Sequence, residues 1–442
     1  MRLPLPLANI VSRLRPSLLV AVVAVGIAGG LIGAAYVSML HLLQRGLWPT
    51  HYATAEHLGI LVAAGVTIGL ITYLLGMPGN VELLVDNIHV LGGPQDLRDL
   101  RALIPVSLLS ISAGGALGPE APLVQSTGAV GAWFARQWRL TRGDTRTLAI
   151  TGMAAGFTVL FGAPLGSALF ALEILHRRGM EYYEALVPAL LGSIAGLVVY
   201  VLFTGFGFQP IWTFPSPGTV HMVDFGWALL AGAGGAGIAI AFTYANVLGR
   251  RIFAPIPPVM RPLLGGIILG LLAFWSPYAL TYGESQVNPL VARDAVASVF
   301  IVAVIAKFLG ATVTQSSGWR GGFIIPLFFI GTAMGRLCHI ILPNTNEVVL
   351  MAAFMAACVV GVTKTTLGST LVATEMAGLQ ILPTTLLAAL VALFLTSSVT
   401  LIETQRDRER EIPGEIEEDG AMSIGADRVP VVGGRIGRDV SS

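Results

Sequence analysis

The sequence predicts an all-α polytopic membrane protein built from two repeats of tilted, broken transmembrane helices. Three observations carry that expectation. Of its 442 residues, 54% are hydrophobic and only 12% charged, whereas a soluble domain carries about 25% charged residues. Glycine (53 residues) and proline (25) are abundant, so the apolar segments are not simple straight spans. Two blocks of sequence also recur in the same order in both halves.

The recurrence is read within this chain alone. Leu165–Glu173, LGSALFALE, matches Leu367–Glu375, LGSTLVATE, at six of nine positions, 202 residues apart. Upstream, PLVQSTGAVG (Pro122–Gly131) pairs with PLFFIGTAMG (Pro326–Gly335), 204 residues apart. The chain therefore divides into an N-terminal segment 1–16, a first membrane repeat 17–215, a second 222–404 and a short tail 405–442.

Apolar stretches follow in order at 17–43, 58–76, 102–117, 148–175, 186–206, 224–248, 262–280, 296–315, 322–342, 348–378 and 381–402. A spanning helix needs about 20 apolar residues. Several of these stretches are too short, and others are long enough for two broken pieces. Small residues let such pieces pack closely, and their loose ends need protein or a water-filled cavity. The first stretch runs too long for a cleaved signal peptide. Arg2, Arg13 and Arg15 ahead of it favour a cytoplasmic N-terminus in a multi-pass protein of the cell (inner) membrane. After 402, ETQRDRERE leaves the bilayer, and the polar, Gly-rich remainder is expected to be a disordered cytoplasmic tail.

Several classes are excluded. The net charge of +1 gives no argument for nucleic acid. Cys338 and Cys358 lie in apolar segments without metal-ligand spacing, and the seven histidines form no HExxH pattern. No metal or cofactor is expected, and no nucleophile–base pair suggests an enzyme. A cation-coupled organic-solute carrier, also built from repeats, is the competing class. The expected surroundings are the lipid bilayer.

One carboxylate stands out, in GGALGPEAPLVQ (Gly114–Gln125). Intramembrane carboxylates are costly and usually functional, and Glu120 stands between Pro119 and Pro122. Each half carries a Gly/Pro-rich turn that opens a helix: GPEAP (Gly118–Pro122) and GGFIIP (Gly321–Pro326). Proline suits a first helical turn, and the free N–H groups there, at the positive dipole end, favour an anion. Glu120 is expected to occupy that anion position when ionised and to leave it when protonated, acting as gate and proton carrier. The bland reading is a capping glutamate facing an aqueous vestibule.

These motifs resemble the CLC family of chloride channels and proton-coupled chloride transporters. GPEAP resembles its G-(R/K)-E-G-P motif, and SSGWRGGFIIPLFFIGTAMG (Ser316–Gly335) resembles its G-x-F-x-P filter segment. AAGFTVLFGAPLGSALFALE (Ala154–Glu173) and ATEMAGLQILP (Ala373–Pro383) resemble the helices that follow. The resemblance implies inverted-topology repeats, a homodimer with one pore per subunit, and an anion cargo, chloride first, with protons as a possible second. It makes Glu120 the gate and puts Gly118, Pro119, Gly322, Phe323 and Ile324 at the anion.

Departures from the family pattern fall at the other end of the path. The family's G-S-G-I-P motif aligns with YLLGMPGN (Tyr73–Asn80), so Leu75, Gly76 and Met77 take the anion-binding turn, without a hydroxyl. The family's tyrosine near the last helices is missing, and an ungapped reading lands near Glu403 and Thr404. The family's proton-uptake glutamate reads as Ile174. Two roles fit the adjacent Glu173: a substitute proton relay, or a structural group, which its repeat mate Glu375 favours. Lys307, Arg320, Arg336 and Lys364 either add positive potential near the path or pair and snorkel. Glu82 and Asp86, four apart, read as one face of a short amphipathic helix.

Overall fold

The computed structural model describes residues 16–48, 54–79, 81–91, 93, 97–98, 100–176, 182–205, 207–208, 210–292, 295–402 and 404–405. All of these belong to a unit that ends at Arg408. The segments 1–15 and 406–442, the side chain of Glu82 and Glu403 lie outside the described residues.

Sixteen α-helices among the described residues form two series of eight. The first is α1 (Pro16–Leu47), α2 (Thr54–Leu75), α3 (Val81–Leu91), α4 (Leu100–Ser112), α5 (Glu120–Gln137), α6 (Arg142–Phe161), α7 (Pro164–Glu173) and α8 (Leu186–Thr204). The second is α9 (Met222–Phe253), α10 (Arg261–Trp275), α11 (Glu284–Ala292), α12 (Ala297–Ser316), α13 (Ile324–Ile341), α14 (Glu347–Thr363), α15 (Thr366–Ala377) and α16 (Leu382–Leu395). Corresponding members match: α1 and α9 have 32 residues each, and α5 and α13 have 18 each. A three-residue 3-10 turn precedes the last helix of each series. Six helices are long and apolar enough to cross a membrane, and several others are shorter apolar pieces.

The two long stretches, 148–175 and 348–378, each break into a helix pair, and local chemistry explains where. A capping box opens α6: the Asp144 N–H donates to Thr141 Oγ1 (3.2 Å) and the Thr141 N–H to Asp144 Oδ2 (3.4 Å). Gly162, with φ 65°, closes it in the left-handed conformation that glycine adopts freely. At the matching point after α14 the left-handed residue is Lys364, φ 64°. Its ammonium donates to Gly361 O (2.7 Å), Thr396 O (2.6 Å) and Thr396 Oγ1 (2.8 Å). It therefore caps the C-terminal ends of α14 and α16, where positive charge is favoured.

Reciprocal contacts join the two series. The Glu173 carboxylate accepts the N–H groups of Leu367 (3.0 Å) and Gly368 (2.7 Å) at the start of α15. Its mate Glu375 accepts those of Leu165 (3.2 Å) and Gly166 (3.1 Å) at the start of α7. Gly118 and Gly322 likewise exchange both backbone bonds. A contact repeated with its partners interchanged marks a two-fold relation, as inverted repeats require. Two more cations prove structural. The buried Lys307 ammonium donates to Leu280 O (2.7 Å), Thr281 O (2.6 Å) and Gln286 Oε1 (2.9 Å), and Arg336 pairs with Glu347.

Helix contacts within each half also repeat. A Cβ on Gly131 of α5 would come within 2.1 Å of Leu148 O on α6, and one on Gly335 of α13 within 2.4 Å of the Met351 backbone on α14. Backbone cannot yield as a side chain can. Gly335→Leu is therefore expected to separate α13 from α14, with overpacking costing at least the usual ~1–3 kcal/mol. Thermal unfolding in detergent should show a lower midpoint or no folded protein, whereas Gly237→Ala on α9, where a Cβ meets nothing within 4 Å, should leave the midpoint in place.

Candidate functional site

Helices α5 and α13 begin at one place. The backbone at Gly118 and Gly322 runs antiparallel just ahead of them, joined by Gly118 N–H to Gly322 O (2.7 Å) and Gly322 N–H to Gly118 O (2.6 Å). Pro119 leads into α5 and Phe323 into α13, and neither start has a side-chain cap. The first-turn N–H groups of a helix have no partner within it, so two positive dipole ends meet here.

Glu120 fills that gap. It is fully buried, and its Oε1 accepts the N–H of Ile325 in the first turn of the opposing helix, α13. Its Oε2 has no hydrogen-bond partner. The carboxylate lies against both glycines of the bridge: a Cβ on Gly118 or Gly322 would come within 2.1 or 2.6 Å of Oε2. A carboxylate thus sits as the anion at a helix N-terminus, and protonation would remove the charge that holds it there.

The structure redistributes the expected ligands. Gly118 and Gly322 were expected at the anion, but their amides are consumed by the bridge, so they supply room rather than donors. The donors left at the α13 start are the amides of Phe323, Ile324 and Ile325. Pro119 leads into α5 and, like Gly118, does not line the cavity described next.

A cavity of about 260 Å³ reaches Glu120. Gly321, Gly322, Phe323 and Ile324 of the filter segment line it, as do Met77 and Gly79. Of the three residues expected from the first turn, Met77 alone faces the cavity. Leu75 ends α2 with 54% of its surface exposed, and Gly76 turns the chain at φ 87°. Arg320 holds this turn against the filter: its Nη2 donates to Pro78 O (3.3 Å) and its backbone N–H to Ser110 Oγ (3.1 Å).

Ile174, Leu401 and Ile402 add apolar side chains to the lining. The Thr404 hydroxyl is buried without a partner and does not line the cavity. Gln405 anchors this segment by donating to Ile174 O (2.9 Å) and Thr363 O (2.7 Å). Arg250, Arg261, Gln315 and Ser316 also line the cavity; no local motif marks them, because three separate elements bring them together.

Glu173 is held by the start of α15 and its mate by the start of α7, which is the geometry of matched helix caps. Glu173→Gln and Glu375→Gln should each lower stability by a similar ~1–2 kcal/mol, the value of a charge-assisted bond at a helix N-terminus. Denaturant titration in detergent checks this; equal losses support the caps, and a stability loss confined to one variant would contradict the two-fold relation.

A family model described as "Voltage gated chloride channel" matches residues 79–397. A chloride/fluoride channel protein from Pseudomonas syringae pv. tomato is 27% identical over 381 residues, covering 81% of each chain. A putative ion-transport protein, YfeO, of Escherichia coli K12 is 29% identical over 362 residues, covering 77% of this chain and 84% of the relative. Among solved structures, a CLC-type fluoride/proton antiporter superposes with TM-score 0.78 at 22% identity, covering 89% of this chain and 98% of the other. A slow cyanobacterial Cl−/H+ antiporter gives 0.75 at 23% identity, covering 87% and 96%. At these identities the two structures bear on the fold alone.

Proposed function

The chain belongs to the voltage gated chloride channel family, and from that premise we propose that it carries a small inorganic anion, chloride first, through a pore gated by Glu120. It is an integral multi-pass membrane protein. The single observation that carries the reading is the Glu120 carboxylate, buried and bonded to the first turn of α13. A permeating anion competes with it for the same helix-end donors. Ionised, the side chain closes the position; protonated, it loses its attraction to the dipole end and yields the place. Backbone donors without a full positive charge suit a conductor, in which binding must be firm enough to enter and weak enough to leave.

The rest of the reading is transport rather than catalysis, in the inner membrane, with both termini cytoplasmic. The exposed apolar side chains of α8 and α16, among them Leu202, Phe203, Leu390 and Phe394, suit lipid and a second copy in a homodimer. Fluoride is the second candidate cargo, favoured by the similarity to the chloride/fluoride channel protein of Pseudomonas.

Chloride efflux from liposomes tests the gate. Glu120→Gln mimics the neutral form, so efflux should rise at neutral and alkaline pH and lose its pH dependence. An unaltered rate with an unaltered pH profile removes Glu120 from the gate.

Proton coupling should be weak or absent. Fixed-ratio exchange needs a donor to reload Glu120, and the proton-uptake position is Ile174, which lines the cavity with Leu401 and Ile402, while Glu173 is engaged as a cap. The competing reading is a proton/anion antiporter with fixed coupling, in which water chains replace the side-chain relay. With a chloride gradient across liposomes and no initial pH gradient, no uphill proton movement is expected. Sustained uphill proton movement, abolished by Glu120→Ala, would establish the antiporter instead.

A further inference from the structure

A basic and aromatic surface lies at the end of α5, in residues that do not line the cavity. From Arg136 to Arg146 the chain carries four arginines and one acid. That acid, Asp144, is turned back into the cap of α6, where Thr141 Oγ1 donates to its Oδ2 (2.8 Å). Arg146 is engaged with α3, donating to Ile88 O (3.3 Å) and His89 O (3.4 Å). Arg136 and Arg142 have interactions of their own within the chain, so the exposed Arg139 carries the charge that this surface presents. Three aromatic rings stand just before it. Trp133 and Trp138, 38% and 42% exposed, each meet the Phe134 ring edge to face, with centroids 5.2 and 5.8 Å away.

The backbone holds Arg139 there against its preference. Helix α5 ends in a Schellman turn: the Leu140 N–H donates to Ala135 O (2.9 Å) and the Arg139 N–H to Arg136 O (3.1 Å). The corner of such a turn is left-handed, a conformation that glycine adopts freely. Here the corner residue is Arg139, φ 53°, and a non-glycine residue kept in that region points to a use for its side chain. Packing fixes the depth of the turn. Phe134, Ala135 and Leu140 join Leu18 and Ala21, from the start of α1, in one apolar cluster. Helix α1 is long and apolar enough to cross a membrane, so the turn lies at the level where α1 enters the bilayer. Tryptophan and arginine are the side chains that such an interface takes, ring toward the lipid and charge toward the headgroups.

We propose that Arg139, with Trp133 and Trp138, binds the phosphodiester headgroup of an anionic phospholipid in the leaflet where α1 begins. The guanidinium matches two phosphate oxygens with two parallel N–H bonds, and the indole rings lie against the glycerol and the upper acyl chain. The negative charge of the lipid surface draws the arginine to that position. Helix α5 starts at Glu120 and runs 18 residues to this turn, so the lipid holds the far end of the helix that carries Glu120.

The test titrates the full chain, purified in detergent, with phosphatidylglycerol and with phosphatidylcholine, and counts the lipid retained by native mass spectrometry. Wild-type protein should retain phosphatidylglycerol at the lower concentration. Arg139→Gly should raise the half-retaining phosphatidylglycerol concentration about fivefold, the scale of one arginine at an anionic surface, and leave phosphatidylcholine unmoved. Its thermal midpoint in lipid-free detergent should stay level or rise, since glycine suits the left-handed corner; a merely structural Arg139 would lower the midpoint and leave the lipid preference alone. Arg139→Lys keeps the charge and should keep the preference. If Arg139→Gly does not fold, Arg139→Asn, which also suits that corner, gives the same reading. Equal retention of the two lipids by wild-type protein, or phosphatidylglycerol retention unmoved by the loss of Arg139, would overturn the proposal. Displacement of phosphatidylglycerol by an equal concentration of glycerol 3-phosphate would overturn it too, by showing a site for small phosphates in place of one for lipid.

Discussion

A broken helix inside a bilayer exposes N–H and C=O groups that lipid cannot satisfy, and every distinctive feature of this fold answers that constraint. N-terminal ends are met by carboxylates that cross between the repeats: Glu173 reaches α15, Glu375 reaches α7 and Glu120 reaches α13. C-terminal ends are met by Lys364, whose ammonium serves two of them, or closed by Gly162. Because most of these partners come from the other half of the chain, the repeats cannot slide or separate without uncovering buried backbone. The price of interrupted helices is a fold whose halves are mutually dependent.

Function arises where the two-fold relation fails. Glu173 and Glu375 correspond and do the same work. Glu120 corresponds to Ile324, 204 residues on, and the two do different work. Had both positions been acidic, two carboxylates would meet at one junction and repel. With isoleucine at the second position, the α13 start keeps its N–H groups for whatever anion arrives, and Glu120 is the anion tethered nearest to it. The bridge between Gly118 and Gly322 fixes the distance between the two helix starts, while the glycines leave just enough room for a carboxylate. The proposed gate is thus one half of a pseudosymmetric junction, in which a capping group would be exchangeable.

Much of this was legible in the sequence. The repeat could be read from Leu165–Glu173 and Leu367–Glu375 because caps and close helix contacts need particular residues at fixed places. The family model and the superposed structures bear out the fold class, and 148–175 and 348–378 each break in two, whereas 17–43 lies in one unbroken helix. What was not legible had no local signature. Ser316, Gln315, Arg250 and Arg261 meet at the cavity only because α9, α10 and α12 end near one another. Lys364 and Lys307 could not be sorted into pore or structure until their carbonyl partners were seen. Of the turn at 75–77, only Met77 lines the cavity, and nothing in the local sequence marks which of the three would. In the last segment Leu401 and Ile402 line the cavity and Thr404 does not, which an ungapped count from Ile381 had no means to tell.

The lining of the cavity bears on how an anion would cross. Attraction comes from the helix-start dipoles at Phe323 and Ile324, which hold without trapping, and from the guanidinium groups of Arg250 and Arg261, which would raise the local anion concentration. Ile174, Leu401, Ile402 and Met77 line the same space with no charge and no hydroxyl, so an ion shed of water against them gains little. On the proposed reading these residues also offer a proton no titratable side chain to rest on, which would make proton transfer the slow partner whenever the two are asked to move together.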